Sequence, residues 1–289
     1  MANSVFVIGV PRSGTTLLRL LLTAHSDICI PPESLFFVAL EPKYGSINNL
    51  LPQIEDFLND LYSESFSKFC EWNIDRKVLS NNLKSCQELS YALAVETVYK
   101  TYCQQHDPKT LDWGDKNPSH IYHVEKIRQY FPMSKVILIV RDFRACYSSI
   151  KNIIAKEQEA KEVWTGPKTL KEMECQWNQI INLIDKYHQK NEQFYLVFYE
   201  RLVEEPSAQL IEICKWLGVN FQETMLNFYQ KNIELNLVPP NRAVFHPNTF
   251  KPIDRERIDN WQSKLSIAEI EAIQMISGEN LKKLGYKCI

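Results

Sequence analysis

The sequence predicts an α/β fold in which a central parallel sheet is flanked by helices. Three short apolar runs are each followed by a segment with helical spacing, which is the alternation of a parallel sheet. The runs are Val5-Phe-Val-Ile-Gly9, Lys135-Val-Ile-Leu-Ile-Val140 and Gln193-Phe-Tyr-Leu-Val-Phe-Tyr199. Their continuous hydrophobicity is typical of strands that are buried on both faces. We therefore expect a single α/β domain over residues 1–289.

Each predicted strand leads into a predicted helix. The first run is followed by a glycine-containing turn and by leucines at helical spacing between residues 15 and 25, which together form the start of a βαβ unit. A helix is expected from Phe143, and an amphipathic helix after the third run is expected to continue to Leu217. Weaker patterns predict short strands at 28–30 and 110–113.

Three segments interrupt this alternation. Residues 45–108 are polar and helical in pattern, and we expect them to form a helical insertion over the ligand-binding edge of the sheet. The stretch 237–252 contains several prolines, which predicts a long irregular loop with a functional role. Two short helices, around 254–262 and 267–284, are expected to close the chain.

The composition favours a soluble, cytoplasmic protein. Apolar residues make up 45% of the chain, and the net charge of −2 argues against a nucleic-acid partner. No apolar run approaches the roughly 20 residues needed to span a bilayer, and no secretory leader is visible. The eight cysteines are scattered without a C-x-x-C pair, so we expect reduced, packed thiols.

The turn after the first strand, Gly9-Val-Pro-Arg-Ser-Gly-Thr-Thr16, has the pattern of an anion-binding loop. Backbone N–H groups at such a strand-to-helix turn bind phosphate, because the positive end of the helix dipole lies behind them. In ATP-binding loops a lysine follows the second glycine. Here that position is threonine, and the cation is Arg12, inside the loop. The candidate phosphate ligands are Arg12, Ser13, Gly14, Thr15 and Thr16. An ordinary glycine turn before a buried helix is the alternative.

The segment Pro11-Arg-Ser-Gly-Thr-Thr16 resembles the 5′-phosphosulfate loop of sulfotransferases that use 3′-phosphoadenosine-5′-phosphosulfate (PAPS). It is most similar to the tyrosylprotein- and carbohydrate-type branch and its bacterial relatives. A second family motif, Arg-Asp-x-Arg followed by a serine, resembles Arg141-Asp-Phe-Arg-Ala-Cys-Tyr-Ser-Ser149. The resemblance extends over most of the chain. It implies a P-loop NTPase-like fold, PAPS as sulfuryl donor and adenosine 3′,5′-bisphosphate (PAP) as product.

The same resemblance implies roles for residues outside the loop. Arg141 and Ser149 would hold the 3′-phosphate, although a surface ion pair with Asp142 is the alternative for this arginine. Tyr199 matches a tyrosine that lies near the nucleotide in the family, and a half-buried tyrosine at a strand end is its alternative. Lys251, in a Lys-Pro pair that precedes a tryptophan, would close over the phosphates.

Three residues are candidates for catalysis. Arg12 would stabilise the sulfuryl oxygens, and Lys116, in a Gly-Asp-Lys-Asn-Pro segment, would neutralise the leaving phosphate. A solvated loop lysine is the alternative for Lys116. Glu33 resembles the catalytic glutamate of the tyrosylprotein branch, and a partly apolar pocket would raise its pKa and make it a better base. His120 is the rival base, since histidine serves in the cytosolic small-molecule branch.

The sequence leaves the acceptor and two rival functions open. We expect no metal requirement, because side-chain cations can serve the weakly anionic sulfuryl group. A P-loop kinase or NTPase is disfavoured by the missing lysine, and a non-catalytic nucleotide-binding module is the second rival. The acceptor hydroxyl could belong to a small metabolite, a lipid-like alcohol or a saccharide. Aromatic residues of the insertion could line its pocket or could form a packing stripe. They are Phe57, Tyr62, Phe66, Phe69 and Trp72.

Overall fold

The computed structural model describes residues 4–106, 112–157 and 164–288. Its centre is a five-stranded sheet with the strand order β2-β3-β1-β4-β5. The strands are β1 Ser4–Ile8, β2 Ile28–Cys29, β3 Asp112–Lys116, β4 Lys135–Val140 and β5 Phe194–Phe198. Every neighbouring pair is parallel, so the predicted parallel α/β sheet is confirmed.

Thirteen α-helices surround the sheet in the described part of the chain. The first six are α1 Thr15–Thr23, α2 Phe36–Tyr44, α3 Ile54–Leu61, α4 Ser67–Cys70, α5 Arg76–Lys84 and α6 Tyr91–His106. Three follow within the central part, α7 Val124–Tyr130, α8 Phe143–Lys156 and α9 Leu170–Tyr187. The last four are α10 Tyr199–Glu204, α11 Pro206–Leu217, α12 Phe228–Leu235 and α13 Ile267–Lys283.

Helices cover both faces of the sheet because alternate residues of each strand enter two separate cores. On β1, Val5 and Val7 pack against α1, α11 and α12, whereas Phe6 and Ile8 pack against the insertion helices, α8 and α9. All four side chains are at most 3% exposed. Burial on both faces explains why this strand reads as a continuous apolar run rather than an alternating one.

Helices α3 to α6 occupy the segment 45–108 that was expected to form a helical insertion. Its aromatic residues belong to the larger core rather than to a ligand pocket, since Phe57, Phe69 and Trp72 are each 1% exposed and Tyr62 and Phe66 pack against that core. The packing-stripe interpretation is therefore correct for these five residues.

Several element boundaries differ from the predictions. The weak strand placed at 110–113 is Asp112–Lys116, and residues 107–111 lie outside the described residues. The helix expected to run to Leu217 is broken between α10 and α11, because Pro206 has no N–H to continue it and starts a new helix instead.

In the C-terminal half, one predicted helix is wrong, one is confirmed and one helix was not predicted. The helix around 254–262 is wrong, since only a 3₁₀ turn forms there, at Arg255–Arg257, whereas the helix expected at 267–284 is confirmed. Helix α9 was not predicted, although its capping box, Thr169 with Glu172, is a helix-start signal in the sequence.

The proline-rich loop 237–252 contains two short 3₁₀ helices, Pro240–Phe245 and Pro247–Phe250. Asn232, at the end of α12, anchors it at both ends: its side-chain amide donates to the Thr249 carbonyl and accepts from the Val238 N–H. This buried asparagine fixes the loop against α12.

The expectation that all cysteines are reduced is wrong for one pair. Cys29 on β2 and Cys103 on α6 are joined by a disulfide bond across 74 positions. Both are buried, and their separation in sequence gave no spacing signal. Because disulfides persist in oxidising compartments, the cysteine argument for a cytoplasmic protein fails, and that location stays a prediction. None of the described helices is long and apolar enough to cross a bilayer.

Candidate active site

A cavity of about 450 Å³ opens where the parallel strands end. Its lining includes residues that directly follow three strands, namely Asn117 after β3, Arg141 after β4 and Tyr199 after β5, together with the loop after β1. Because the carboxyl ends of parallel strands share one edge of the sheet, this edge is where α/β proteins bind their ligands.

The loop after β1 has the backbone of an anion cradle. Gly14 caps α1 at a φ of 104°, and Arg12 has a φ of 72°, both in the left-handed region. A Cβ added to Gly14 would lie 2.5 Å from the ring of Tyr199, so only glycine fits between the loop and α10. The Ser13 hydroxyl is buried with no hydrogen-bond partner among the described residues. These features favour the anion-binding interpretation over an ordinary turn.

Arg12 lies across the cavity and joins three separate parts of the chain. Its guanidinium donates to the Ser149 hydroxyl at 3.1 Å, to the Phe245 carbonyl at 2.9 Å and to Nδ1 of His246 at 3.2 Å. Burial, together with the neighbouring charge of Arg141, lowers the pKa of Arg12 to about 10. The side chain stays cationic at neutral pH, and its partners are all neutral groups that a bound anion could replace.

Arg141 stacks on Tyr199, with its guanidinium carbon 4.1 Å from the ring centroid. It donates to the backbone carbonyls of Arg12 and Arg257 at 3.2 and 3.3 Å. No described carboxylate lies within ion-pair distance of Arg141. Its sequence neighbour Asp142 pairs with Arg144 instead, at 2.6 Å. The ion-pair alternative for Arg141 is therefore wrong.

Tyr199 thus contacts both predicted phosphate motifs, since its ring packs against Gly14 on the loop and under Arg141 on the second motif. The Arg141 Nε is buried with no hydrogen-bond partner among the described residues. Such a donor on a cationic side chain at a cavity is suited to an anionic ligand.

Lys116 and Glu33 form an ion pair inside the cavity wall. The Lys116 ammonium donates to Glu33 Oε1 and, at 3.3 Å, to the Thr16 hydroxyl. Lys116 is 3% exposed, so the solvated-lysine alternative is wrong. Burial lowers the pKa of Lys116 to about 8, and the pairing with Glu33 only partly opposes this effect.

The pKa of Glu33 shifts in the opposite direction to the sequence-based expectation. Burial raises it, as expected, but the charges of Lys116 and Lys68 outweigh burial and lower the pKa to about 2. Lys68, from the insertion, lies 4.0 Å from Glu33 Oε2. With both lysines beside it, the carboxylate is fully ionised at neutral pH and is a weak base.

Two hydrogen bonds hold the segment that carries Glu33. The indole N–H of Trp72 donates to the Pro32 carbonyl at 3.0 Å, and the side-chain amide of Asn117 donates to the Ser34 carbonyl at 3.1 Å. The donors come from the insertion and from the end of β3. The position of Glu33 therefore depends on both elements.

His120, the rival base, does not line the cavity. It is fully buried beneath β3, where its Nε2 contacts the Asp115 carboxylate at 2.7 Å. Tyr99 donates to the same carboxylate oxygen. This buried network holds His120 away from the cavity that Glu33 lines, and the choice of Glu33 as the base stays a prediction.

His246 is a cavity residue that the sequence did not reveal. It lies in the proline-rich loop and accepts a hydrogen bond at Nδ1 from Arg12, since a guanidinium can only donate. Burial and the charges of Arg12 and Lys116 lower the pKa of His246 well below its usual value. Its ring is neutral at physiological pH, and the only signal in the sequence was its position in a loop of predicted function.

Lys251 is exposed, and the structure does not bring it into the cavity. Two other cations from the C-terminal region line the wall, Arg257 and Lys264. The closing role predicted for Lys251 stays a prediction. Among the described residues there is no group of three His, Cys, Asp or Glu side chains that could hold a metal ion.

The fold and this site define an α/β protein with a glycine-containing anion loop and a cationic cavity. The sequence matches the model of the Sulfotransferase family over residues 4–223. It is 25% identical to protein-tyrosine sulfotransferase A of Caenorhabditis elegans, over 98% of this chain and 67% of that protein. It is 24% identical to nodulation protein NoeE of Sinorhizobium fredii, over 98% of this chain and 65% of that protein. The chain thus spans about two thirds of the length of these relatives.

Solved structures show the same fold. The sulfotransferase domain of the Synechococcus olefin synthase superimposes with a TM-score of 0.65 at 22% identity, covering 99% of this chain and 96% of that domain. The sulfotransferase domain of the curacin biosynthetic pathway gives 0.61 at 21% identity, with 100% and 99% covered. The P-loop NTPase-like fold class is confirmed. The chain belongs to the sulfotransferase family, and the expected enzyme class is confirmed with it.

Proposed function

We propose that this enzyme transfers a sulfuryl group from PAPS to an acceptor hydroxyl and releases PAP. The observation that carries the proposal is a cavity lined by Arg12, Thr16 and Glu33 at the phosphate loop, with the buried Lys116 behind its wall in contact with both Glu33 and Thr16. A kinase loop would have a lysine at position 15, and a binding module would have no need of a carboxylate paired to a buried cation.

The residues of the cavity fit a nucleotide with phosphates at both ends. The loop from Arg12 to Thr16 would hold the 5′-phosphosulfate, and Arg141 with Ser149 would hold the 3′-phosphate. The unpartnered Arg141 Nε belongs to a side chain that lines the cavity, and such a phosphate would satisfy it. Tyr199 separates the two groups and supports both.

PAPS would supply a sulfuryl group activated by attachment to a phosphate. Glu33 would accept the proton of the acceptor hydroxyl while the hydroxyl oxygen forms its bond to sulfur and the bond from sulfur to the bridging oxygen breaks. Negative charge then develops on the 5′-phosphate, beside Arg12 and Lys116. Cations placed in advance at this position lower the barrier without reorganising. We propose that no metal ion is needed.

The ion pair with Lys116 gives a reason for the pKa of Glu33 to rise only when the donor is bound. When Lys116 turns to the anionic donor, Glu33 loses the charge that lowers its pKa, and burial, which raises it, is less opposed. The base would then be strengthened by donor binding.

The proposal is tested first by ligand preference. Thermal unfolding is measured with PAP and with ATP·Mg²⁺, because a ligand that binds only the native state raises stability by RT ln(1 + [L]/Kd). We expect stabilisation by PAP and little by ATP·Mg²⁺. The reverse preference would support a P-loop kinase or NTPase and reject the proposal.

The catalytic role of Glu33 is tested by Glu33→Gln in a PAPS-coupled screen of alcohols, phenols and sugars. We expect the variant to keep its stabilisation by PAP and to lose sulfuryl transfer to any acceptor that the wild-type protein uses. Wild-type turnover in the variant would remove Glu33 as the base. Binding of PAP without transfer to any acceptor class would favour a non-catalytic module.

A further inference from the structure

Arg19 is a buried arginine of α1 for which the site described above gives no role. Its side chain is 2% exposed and does not line the cavity. Its guanidinium donates to the Ile30 carbonyl at 3.2 Å and to the Leu237 carbonyl at 2.6 Å. Both acceptors are backbone groups outside α1, and they lie 11 and 218 positions from Arg19 in the sequence.

The two carbonyls belong to the segments that deliver cavity residues. Ile30 begins the short stretch that carries Glu33, and Leu237 begins the proline-rich loop that carries His246. Helix α1 itself starts at Thr15, within the phosphate loop. One side chain therefore joins the anion loop, the segment of the proposed base and the loop that contacts Arg12.

The charge of Arg19 has no ion-pair partner. No described carboxylate lies within ion-pair distance, and its Nε is buried without a hydrogen bond among the described residues. A buried, unpaired charge is costly, so an apolar side chain would be the more stable filler of this space. Burial lowers the pKa of Arg19 only to about 10, so the guanidinium remains charged at neutral pH.

The buried charges around the cavity are therefore unbalanced. Arg12, Arg19 and Lys116 are cationic, and among the described groups that interact with them most strongly Glu33 is the one carboxylate. A positive charge that water cannot reach is screened little by dielectric or by salt. Such an excess is compensated when an anion enters the cavity.

We propose that Arg19 is a positioning residue of this site, which fixes the segments of Glu33 and His246 to the phosphate-binding helix and contributes a water-shielded positive charge to donor binding. This inference rests on the proposed function. Arg19 would act in two ways. Its charge would raise the affinity for the anionic nucleotide, and its two hydrogen bonds would hold the segments that carry Glu33 and His246 in position.

Three variants separate these effects. Arg19→Met removes the charge and both hydrogen bonds, while Arg19→Lys keeps the charge but cannot span both carbonyls with one ammonium. Leu21→Ala is the matched control, since Leu21 is a fully buried residue of the same helix that does not line the cavity. PAP affinity is measured by calorimetry well below each unfolding temperature, and hydrogen exchange is measured on peptides that cover 28–36 and 236–250.

We expect Arg19→Met to weaken PAP binding about tenfold or more, the scale of one poorly screened charge near the ligand. Arg19→Lys should stay within about threefold of the wild-type affinity but should show faster exchange in both peptides. Leu21→Ala should lower stability and leave PAP affinity unchanged. If Arg19→Met does not fold, the exchange pattern of Arg19→Lys still decides.

Two results would overturn the inference. One is a PAP affinity of Arg19→Met equal to that of Leu21→Ala, which would mean that Arg19 only packs the core. The other is unchanged exchange in both peptides of Arg19→Lys. Failure of the wild-type protein to bind PAP is a different outcome, because it rejects the proposed function before the variants are compared.

Discussion

Binding of PAP should be coupled to protonation of Lys116. This lysine is buried beside Glu33, and burial lowers its pKa to about 8 in the ligand-free protein. A phosphate placed next to the ammonium would favour the charged form and raise the pKa again. Only the protonated enzyme then binds tightly, so affinity should fall as the pH rises through the free-state pKa.

The size of the effect follows from that pKa. With a value of about 8, the protonated fraction of Lys116 falls from about three quarters at pH 7.5 to about one tenth at pH 9. PAP affinity should therefore weaken about eightfold over this range, and at pH 8 binding should take up about half a proton. The ligand phosphates, with a second pKa of about 6, are already ionised there.

Calorimetry in two buffers of different ionisation enthalpy measures both quantities at once. Lys116→Arg should bind PAP with the same affinity from pH 7.5 to pH 9, since a guanidinium stays charged throughout. Lys116→Met should bind weakly at every pH. A wild-type affinity that is constant over this range, or an eightfold decline that persists in Lys116→Arg, would refute the reasoning.

Three further outcomes test the site and the fold. Gly14→Ala should lose PAP binding and about 1–3 kcal/mol of stability in a urea titration, because an alanine would be strained at this φ and would clash with the ring of Tyr199. Gly278→Ala is the control, since its Cβ would meet no atom closer than 4.0 Å. It should be neutral or stabilising by about 0.5–1 kcal/mol in the same titration. Arg141→Met should weaken binding of PAP far more than binding of adenosine 5′-monophosphate, which lacks the 3′-phosphate; equal losses would move this arginine to another part of the nucleotide. Cys103→Ser should lower the free energy of unfolding by about 2–4 kcal/mol, since it opens the loop closed by Cys29, and a reducing agent should bring the wild-type protein to the same value.

The parts of the site that depend on local sequence could be predicted well. The turn from β1 into α1 and the arginine after β4 each lie within a few residues of a strong strand signal, and the structure places both at the same cavity. The chain itself sets these positions, because a strand end and the following helix start are neighbours in sequence and in space.

Interactions across long distances in sequence were harder to predict. Lys116 and Glu33 lie 83 residues apart in the sequence. The family resemblance named both residues, but only the structure shows that they form an ion pair and that this pair lowers the pKa of Glu33. His246 and the disulfide were not predicted, since each depends on how a loop or an insertion folds back on the sheet. Lys251 was named by a motif match, and the loop leaves it exposed and outside the cavity lining, so its role stays a prediction.

The hydrogen bond from Trp72 to the Pro32 carbonyl has a consequence for changing what this enzyme accepts. It makes the insertion a support for the proposed base. In the described part of the chain, Lys68 is the one residue of the insertion that lines the cavity. Exchanging the insertion for that of a relative would disturb catalysis before it altered selectivity. The proline-rich loop faces the cavity with Val244, Phe245 and His246, and its Arg242 pairs with Glu71, the residue beside Trp72. New acceptor preference should be sought by varying Val244 and Asn248, which line the cavity. His246, which contacts Arg12, and the aromatic core of the insertion should be left intact.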